Sequence, residues 1–160
     1  MTLLKKIKQH NTYCQLIKKG DRLVLGVSGG PDSVALLMIM ADFQKKENLN
    51  LIVAHVNYGL RGQDSERDEK LVRELSQKLG LKVLVKKYYA KKRAGNPEEL
   101  MRDFRYSFFE EIRKKYRFDK VVVAHTLDDR VETFLMNLIR GSGITTTRSE
   151  ERRVGKECRS

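Results

Sequence analysis

Four short apolar runs constrain what this chain can fold into: RLVLGVS (22–28), LIVAHV (51–56), KVLVKKY (82–88) and KVVVAHT (120–126). Three are rich in valine, and the first, second and fourth are nearly continuous in apolar residues. That is the pattern of strands buried on both faces of a parallel sheet. Helical stretches separate them. SVALLMIMADFQKK (33–46) is apolar almost all round. SERDEKLVRELSQKLG (65–80) aligns Leu71, Val72, Leu75 and Leu79 on one stripe and ends at Gly80, a C-cap residue. NPEELMRDFRYSFFEEIRKKY (96–116) repeats Leu100, Phe104, Phe108 and Ile112 at i,i+4 steps. DDRVETFLMNLIRG (128–141) packs Val131, Phe134, Leu135 and Leu138 before Gly141. Strand and helix alternating four times predict an α/β fold: a doubly wound, mostly parallel sheet with helices on both faces and right-handed crossovers. In such sheets a ligand binds beyond the carboxyl ends of the strands.

A chain of 160 residues is about one domain. The pattern is lost after Ile144, where TTTRSEERRVGKECRS (145–160) has only Val154 and Cys158 as apolar side chains. The expected organisation is one domain over 1–144, incomplete at its C-terminal end, and a polar tail over 145–160 that is disordered or foreign to the native protein. Lys and Arg number 33 against 21 Asp and Glu, and the net charge of +12 favours an anionic partner: RNA, DNA, a nucleotide or acidic lipid. Cys14 and Cys158 lie too far apart in sequence for a disulfide framework or a zinc knuckle. The N-terminal stretch has helical spacing (Leu3, Leu4, Ile7, Cys14, Ile17) but not the apolar core of a signal peptide. No run approaches the roughly 18 apolar residues of a membrane span. A soluble, cytoplasmic protein with no membrane partner is expected.

Between the first strand and its helix stands SGGPDS, residues 28 to 33. Gly29 and Gly30 permit positive φ and close backbone approach, and Ser28 and Ser33 offer hydroxyls. Asp32 lies at the helix N-terminus, where the dipole turns its positive end toward the loop. This context suits an anion, yet the loop holds neither lysine nor arginine. It matches neither G-x-x-x-x-G-K-[ST] nor G-x-G-x-x-G. A plain reading is a tight turn with Asp32 or Ser33 as N-cap.

On the helix over 97–116, Glu99, Arg102 and Tyr106 share a face opposite the apolar stripe, with Arg105 at its border. By itself this is a solvated face with a Glu99–Arg102 pair worth a few tenths of a kcal/mol. On the last helix Asp129, Glu132, Thr133, Met136 and Arg140 share a face, although Thr126-x-x-Asp129 also fits a capping box and Arg140 suits a helix C-terminus. His55 follows the second strand, where a core histidine is as natural as a functional one. Segment 57–64, NYGLRGQD, reads as an ordinary loop carrying Arg61. KKYYAKKRAGN (86–96) mixes five basic residues with Tyr88 and Tyr89, a composition suited to solvent or to phosphate contact and base stacking.

SGGPDS resembles the SGGxDS pyrophosphate loop of the N-type ATP pyrophosphatase (PP-loop) superfamily, which splits ATP into AMP and pyrophosphate to adenylate a carbonyl-type oxygen. Three more segments are similar to those of tRNA(Ile)-lysidine synthetases. AHVNYGLRGQDSERDE (54–69) is similar to AHxNHxLRGxxSxxDE, and EELMRDFRY (98–106) to ExxARxxRY through Glu99, Arg102, Arg105 and Tyr106. VAHTLDDRVETFLMNLIRGSG (123–143) is similar to AHHxDDQxETxLMxLxRGxG. Tyr58, Thr126 and Arg130 depart from that pattern, and the chain stops before the family's later segments.

The resemblance implies that Ser28, Gly29, Gly30, Pro31, Asp32 and Ser33 hold the β,γ-phosphates of ATP, with Asp32 helping to hold Mg²⁺. His125 and Asp129 would line the adenylation site, with Arg102 and Arg105 facing the triphosphate or tRNA. His55, Asn57, Arg61, Glu132 and Arg140 would lie toward the substrates. These would be free L-lysine and an isoleucine tRNA with a CAU anticodon, joined as lysidine in a ligase reaction. The alternatives are a PP-loop thiolation enzyme, which two isolated cysteines fit poorly, and a non-catalytic basic RNA-binding fragment.

Overall fold

Strands β1 (Arg22–Gly26), β2 (Asn50–Asn57), β3 (Lys82–Lys87) and β4 (Lys120–Val123) form a four-stranded sheet in the order β3-β2-β1-β4. All three pairings are parallel, with Leu25 opposite Val53 and Val122, and His55 opposite Val85. Helices α1 (Pro31–Glu47), α2 (Gln63–Lys78) and α3 (Pro97–Lys115) make the crossovers. The structure is a computed structural model and describes residues 17–89 and 96–124. The expected helix over 128–141, the N-terminal stretch, residues 90–95 of the basic run and the 145–160 tail lie outside the described residues.

The strand order fixes the layers. Two successive right-handed crossovers step from β1 to β2 to β3, and the third returns past β1 to β4, so α3 covers the opposite face from α1 and α2. On the α3 face, Val24, Ile52, Ala54 and Val56 pack with Phe108, Phe109 and Ile112. The alternate residues of β1 and β2, among them Leu23, Leu25 and Val53, are fully buried on the other face. This is the doubly wound arrangement that the four apolar runs predict. Strand β4 is only half-buried, because it closes the described sheet on that side.

Three local features explain why the elements stop and pack where they do. Helix α2 ends in a Schellman motif at Gly80 (φ 68°), with Gly80 N–H donating to Gln77 O and Leu81 N–H to Ser76 O at 2.8 Å. Helix α3 ends in the same way, but Arg117 occupies the left-handed position at φ 56°, with Phe118 N–H donating to Arg113 O. Gly26 lets α3 press against the sheet, since a Cβ there would lie 2.6 Å from the Phe109 ring and 2.8 Å from Val123 Cγ1.

Of the expected α2 stripe Val72 is buried and Leu75 and Leu79 are half-buried, but Leu71 is 39% exposed, and Ser65, Glu69 and Ser76 are buried in addition. The helix is turned toward the polar carboxyl end of β2, where His55 and Asn57 are buried as well. Tyr106 likewise does not face solvent opposite the apolar stripe of α3. It packs on the core, edge-on to Phe109 at 6.2 Å.

Candidate nucleotide site

The chain leaves β1 at Val27, whose N–H donates to Ala54 O, and turns through Ser28–Gly30 into α1. Two hydroxyls hold the turn closed. Ser33 Oγ donates to Gly30 O at 2.9 Å and accepts from Ser28 N–H at 3.1 Å, and it lies 3.0 Å from Ser28 Oγ. Ser33 is thus buried and spans the loop, while Ser28 and Asp32 are exposed.

The two glycines differ. Gly29 has φ 95°, and a Cβ there would meet Asp68 Cβ at 2.8 Å. Gly30 has φ −72° and ψ 162°, extended backbone that any residue adopts, so the freedom for positive φ is used at Gly29 and not at Gly30. Gly30 itself is the N-cap of α1, with no side-chain cap; neither Asp32 nor Ser33 takes that position. The first-turn N–H groups of a helix have no intrahelical acceptor, and here no side chain caps them. Together with the helix dipole, they give the loop oriented donors of the kind that can hold an anion.

Position 123 pairs with Gly26, so the chain leaves β4 beside the start of this loop. β1 connects to one face of the sheet and β4 arrives from the other, which makes the gap between them the topological switch point. His125, Thr126, Asp129, Arg130, Glu132 and Arg140 lie beyond β4 and outside the described residues.

Neighbouring segments wall the loop. His55 is 2% exposed and its Nδ1 lies 2.8 Å from Val27 O. A carbonyl only accepts, so Nδ1 carries the proton and Nε2, buried and unpartnered, carries the lone pair. Burial pushes the imidazole pKa below its ordinary value, against the opposing pull of the Val27 bond and the Glu69 and Asp68 charges. Asn57 donates to Glu69 Oε2 at 2.8 Å and accepts from Gly59 N–H at 2.9 Å. Burial raises the Glu69 carboxyl, but hydrogen bonds from Asn57 and Arg73 outweigh it and leave the pKa low. His55 and Asn57 both face inward, holding the ends of β1 and β2. Arg61 is exposed and paired with Asp68 Oδ2 at 2.7 Å.

On α3, Arg102 and Arg105 are half-buried, and Arg105 lies 5.3 Å from the Tyr106 ring with its Nε buried and unpartnered. Tyr58 donates to Met101 O and stands edge-on to Tyr88, which in turn meets Phe104. Of the two tyrosines considered for base stacking, Tyr88 is therefore committed to the core and only Tyr89, at 78% exposure, is open. Lys86 and Lys87 are ion-paired with Glu111 and Glu66.

Asp68 was not among the expected site residues. Its position in the SERDE segment was visible in the sequence, but its packing on Gly29 depends on α2 lying across the end of β1.

A fold with an uncapped, glycine-turned loop at the switch point of a parallel sheet defines a nucleotide-binding α/β class. A family model described as the PP-loop domain matches residues 2–158, and the chain belongs to that family. It is 39% identical over 132 residues to the tRNA(Ile)-lysidine synthase of Clostridium acetobutylicum, covering 80% of this chain and 29% of that protein. With the tRNA(Ile)-lysidine synthase of Clostridium tetani it shares 42% identity over 134 residues, 81% of this chain and 28% of that one. The chain thus spans less than a third of the length of these relatives. In fold it is similar to the U34-tRNA thiolase NcsA from Methanococcus maripaludis with its [4Fe-4S] cluster. That match has a TM-score of 0.74 at 19% identity and covers 89% of this chain and 51% of that one.

Proposed function

We propose that this chain is the ATP-dependent adenylation part of a tRNA(Ile)-lysidine synthetase. The observation that carries the reading is the loop at 28–33, closed by Ser33 and opening onto an uncapped helix N-terminus. Membership of the PP-loop family supports ATP as the nucleotide, and the identities with lysidine synthases support tRNA as the substrate.

In the proposed reaction the C2 oxygen of the wobble cytidine, in an isoleucine tRNA with a CAU anticodon, attacks the α-phosphorus of ATP. Pyrophosphate leaves, and the loop amides and α1 dipole carry its charge. The amine of free L-lysine then attacks C2 and AMP departs, leaving lysidine. That amine must be neutral, against a reference pKa of about 10.4, so the site has to take up its proton or desolvate it. Residues of this chain bind and orient in both steps: Ser28–Ser33 the pyrophosphate, Arg102 and Arg105 the triphosphate or tRNA, and His125 and Asp129 the adenylation centre. Among the described residues no three His, Cys, Asp or Glu side chains gather as a metal cage. Asp32, exposed in the first turn of α1, would hold Mg²⁺ together with phosphate oxygens, as suits an ion that keeps several waters. The metal would neutralise charge on the leaving pyrophosphate. Among the described residues no helix is long and apolar enough to cross a membrane, and we place the reaction in the cytoplasm.

The test is calorimetric. Asp32→Ala and Ser33→Ala should each weaken ATP binding in Mg²⁺ with the fold intact, and the Asp32→Ala effect should shrink once Mg²⁺ is removed. Identical affinities in all three proteins would reject the assignment. Incorporation of labelled lysine into isoleucine tRNA, in the presence of ATP, tests the substrate.

A further inference from the structure

A loop that binds two phosphates usually sits near a fixed cation, and 28–33 contains none. The structure supplies one from a neighbouring turn. Arg61 lies in a short turn bounded by two glycines with positive φ, Gly59 (66°) and Gly62 (51°). Its backbone is held at both ends: Arg61 N–H donates to Ser65 Oγ at 3.2 Å, with Ser65 buried, and Arg61 O accepts from Asp64 N–H at 3.1 Å. Its Nη2 donates to Asp68 Oδ2 at 2.7 Å. Asp68 in turn packs against the bare Cα of Gly29, where a Cβ would lie 2.8 Å from Asp68 Cβ and 3.1 Å from Cγ. The guanidinium is therefore one carboxylate away from the backbone of the phosphate loop.

The exposures of the two partners fit a transferable cation. The Arg61 side chain is 70% exposed against 27% for Asp68, so the carboxylate is partly covered while most of the guanidinium faces outward. Only Nη2 is engaged by Asp68, and an arginine has five N–H donors in a planar fork suited to phosphate oxygens. Such an exposed pair adds little to stability, below about 1 kcal/mol. Its value lies in where it holds the charge.

We infer that Arg61 supplies the positive charge that the 28–33 loop lacks, contacting the pyrophosphate moiety of the bound nucleotide, and that Asp68 is the positioning residue that parks it beside Gly29. The inference rests on the nucleotide reading above and deepens it, since it assigns Arg61 to phosphate and not to the nucleic acid.

The experiment is calorimetric titration of the full chain with inorganic pyrophosphate and, separately, with ATP and Mg²⁺, at low salt. Four proteins are compared: unmodified, Arg61→Gln, Asp68→Asn and the double variant. Thermal melts serve as a fold control and should agree within a few degrees, given the small worth of the pair. Arg61→Gln should weaken both ligands by about tenfold. Asp68→Asn should weaken them by a smaller factor, and the double variant should be no worse than Arg61→Gln alone, because asparagine keeps the packing on Gly29 and the lost carboxylate charge acts only through Arg61. Unchanged affinity in Arg61→Gln, or fully additive effects of the two substitutions, would overturn the inference and leave the loop assignment standing. An unmodified chain that binds neither ligand would overturn both.

Discussion

The two glycines of the 28–33 loop stand side by side in sequence, yet alanine at each should have opposite consequences. At Gly29 the backbone has φ 95°, a conformation that costs an L side chain about 1–2 kcal/mol. The new Cβ would also lie 2.8 Å from Asp68 Cβ and 3.2 Å from Asp68 Cα. Neither atom can rotate away, because both are fixed to helix α2, and relief requires moving the helix or the loop at a cost of about 1–3 kcal/mol. The combined loss is about 3 kcal/mol. For a domain of this size each kcal/mol shifts the melting temperature by about 2–4 °C, so Gly29→Ala should melt roughly 6–12 °C lower. At Gly30, φ −72° and ψ 162° are favourable for alanine, and the nearest atom to a Cβ is Ser28 Oγ at 3.5 Å, an ordinary contact. Lower unfolded-state entropy adds about 0.4–1 kcal/mol, so Gly30→Ala should melt at the same temperature or slightly higher. Differential scanning calorimetry of the three proteins decides the matter. Equal melting temperatures for the two variants would refute the claim that Asp68 packs against Gly29 and that Gly29 needs a left-handed backbone.

Other perturbations reach different parts of the fold. Arg117→Gly relieves a non-glycine residue at φ 56° in the C-terminal motif of α3 and should raise stability by about 0.5–1 kcal/mol in urea unfolding. Gly26→Ala should cost about 2 kcal/mol through overlap with the Phe109 ring, and Phe109→Leu in the same chain should recover part of that loss, giving a non-zero coupling in the double-mutant cycle. His55 is held neutral and its pKa is lowered, so the unfolded chain binds the extra proton. Its contribution is complete above the unfolded value near 6.5 and is lost as pH falls below it, by up to about 1.4 kcal/mol per pH unit. His55→Asn, which keeps an N–H donor for Val27 O, should flatten the stability profile below about pH 6.5 relative to the unmodified chain; parallel profiles would contradict a buried neutral imidazole.

The sheet was legible in the sequence because burial on both faces leaves no room for polar residues, and β1 and β2 meet that demand with Leu23, Val24, Leu25 and Leu51 to Val53. Glycine at 80 was legible for a similar reason, since a helix end with positive φ has few other occupants. The buried face of α2 was legible only in part. Its apolar stripe placed Val72 correctly, but Leu71 is exposed and the helix turns Ser65, Glu69 and Ser76 inward. Periodicity ranks side chains by hydrophobicity, whereas Glu69 answers a hydrogen-bond demand from the strand beneath, where Asn57 donates to it. Tyr88 and Tyr106 escaped for the converse reason. Tyrosines beside lysines and arginines read as a surface until the sheet places Tyr58, Tyr88 and Phe104 edge to edge.

The polar end of β2 also explains how a loop so short keeps one shape. Two contacts fix it from behind: His55 accepts no partner at Nε2 but donates to the carbonyl of Val27, and Asp68 fills the space beside Gly29. His55 lies on β2 and Asp68 on α2, and Asn57 and Glu69, their near neighbours in sequence, are bonded to one another across the same junction. Strand β2, helix α2 and the loop are thus tied at one corner, while Ser33 ties the loop to α1 from the front. An anion arriving at the free first-turn amides meets donors that are already oriented, so little ordering is left to oppose binding. Loosening the ties at His55 or Asp68 should weaken phosphate binding without removing a residue of the 28–33 loop. That is why the packing residues of this corner belong to the chemistry of the site as much as its hydroxyls do.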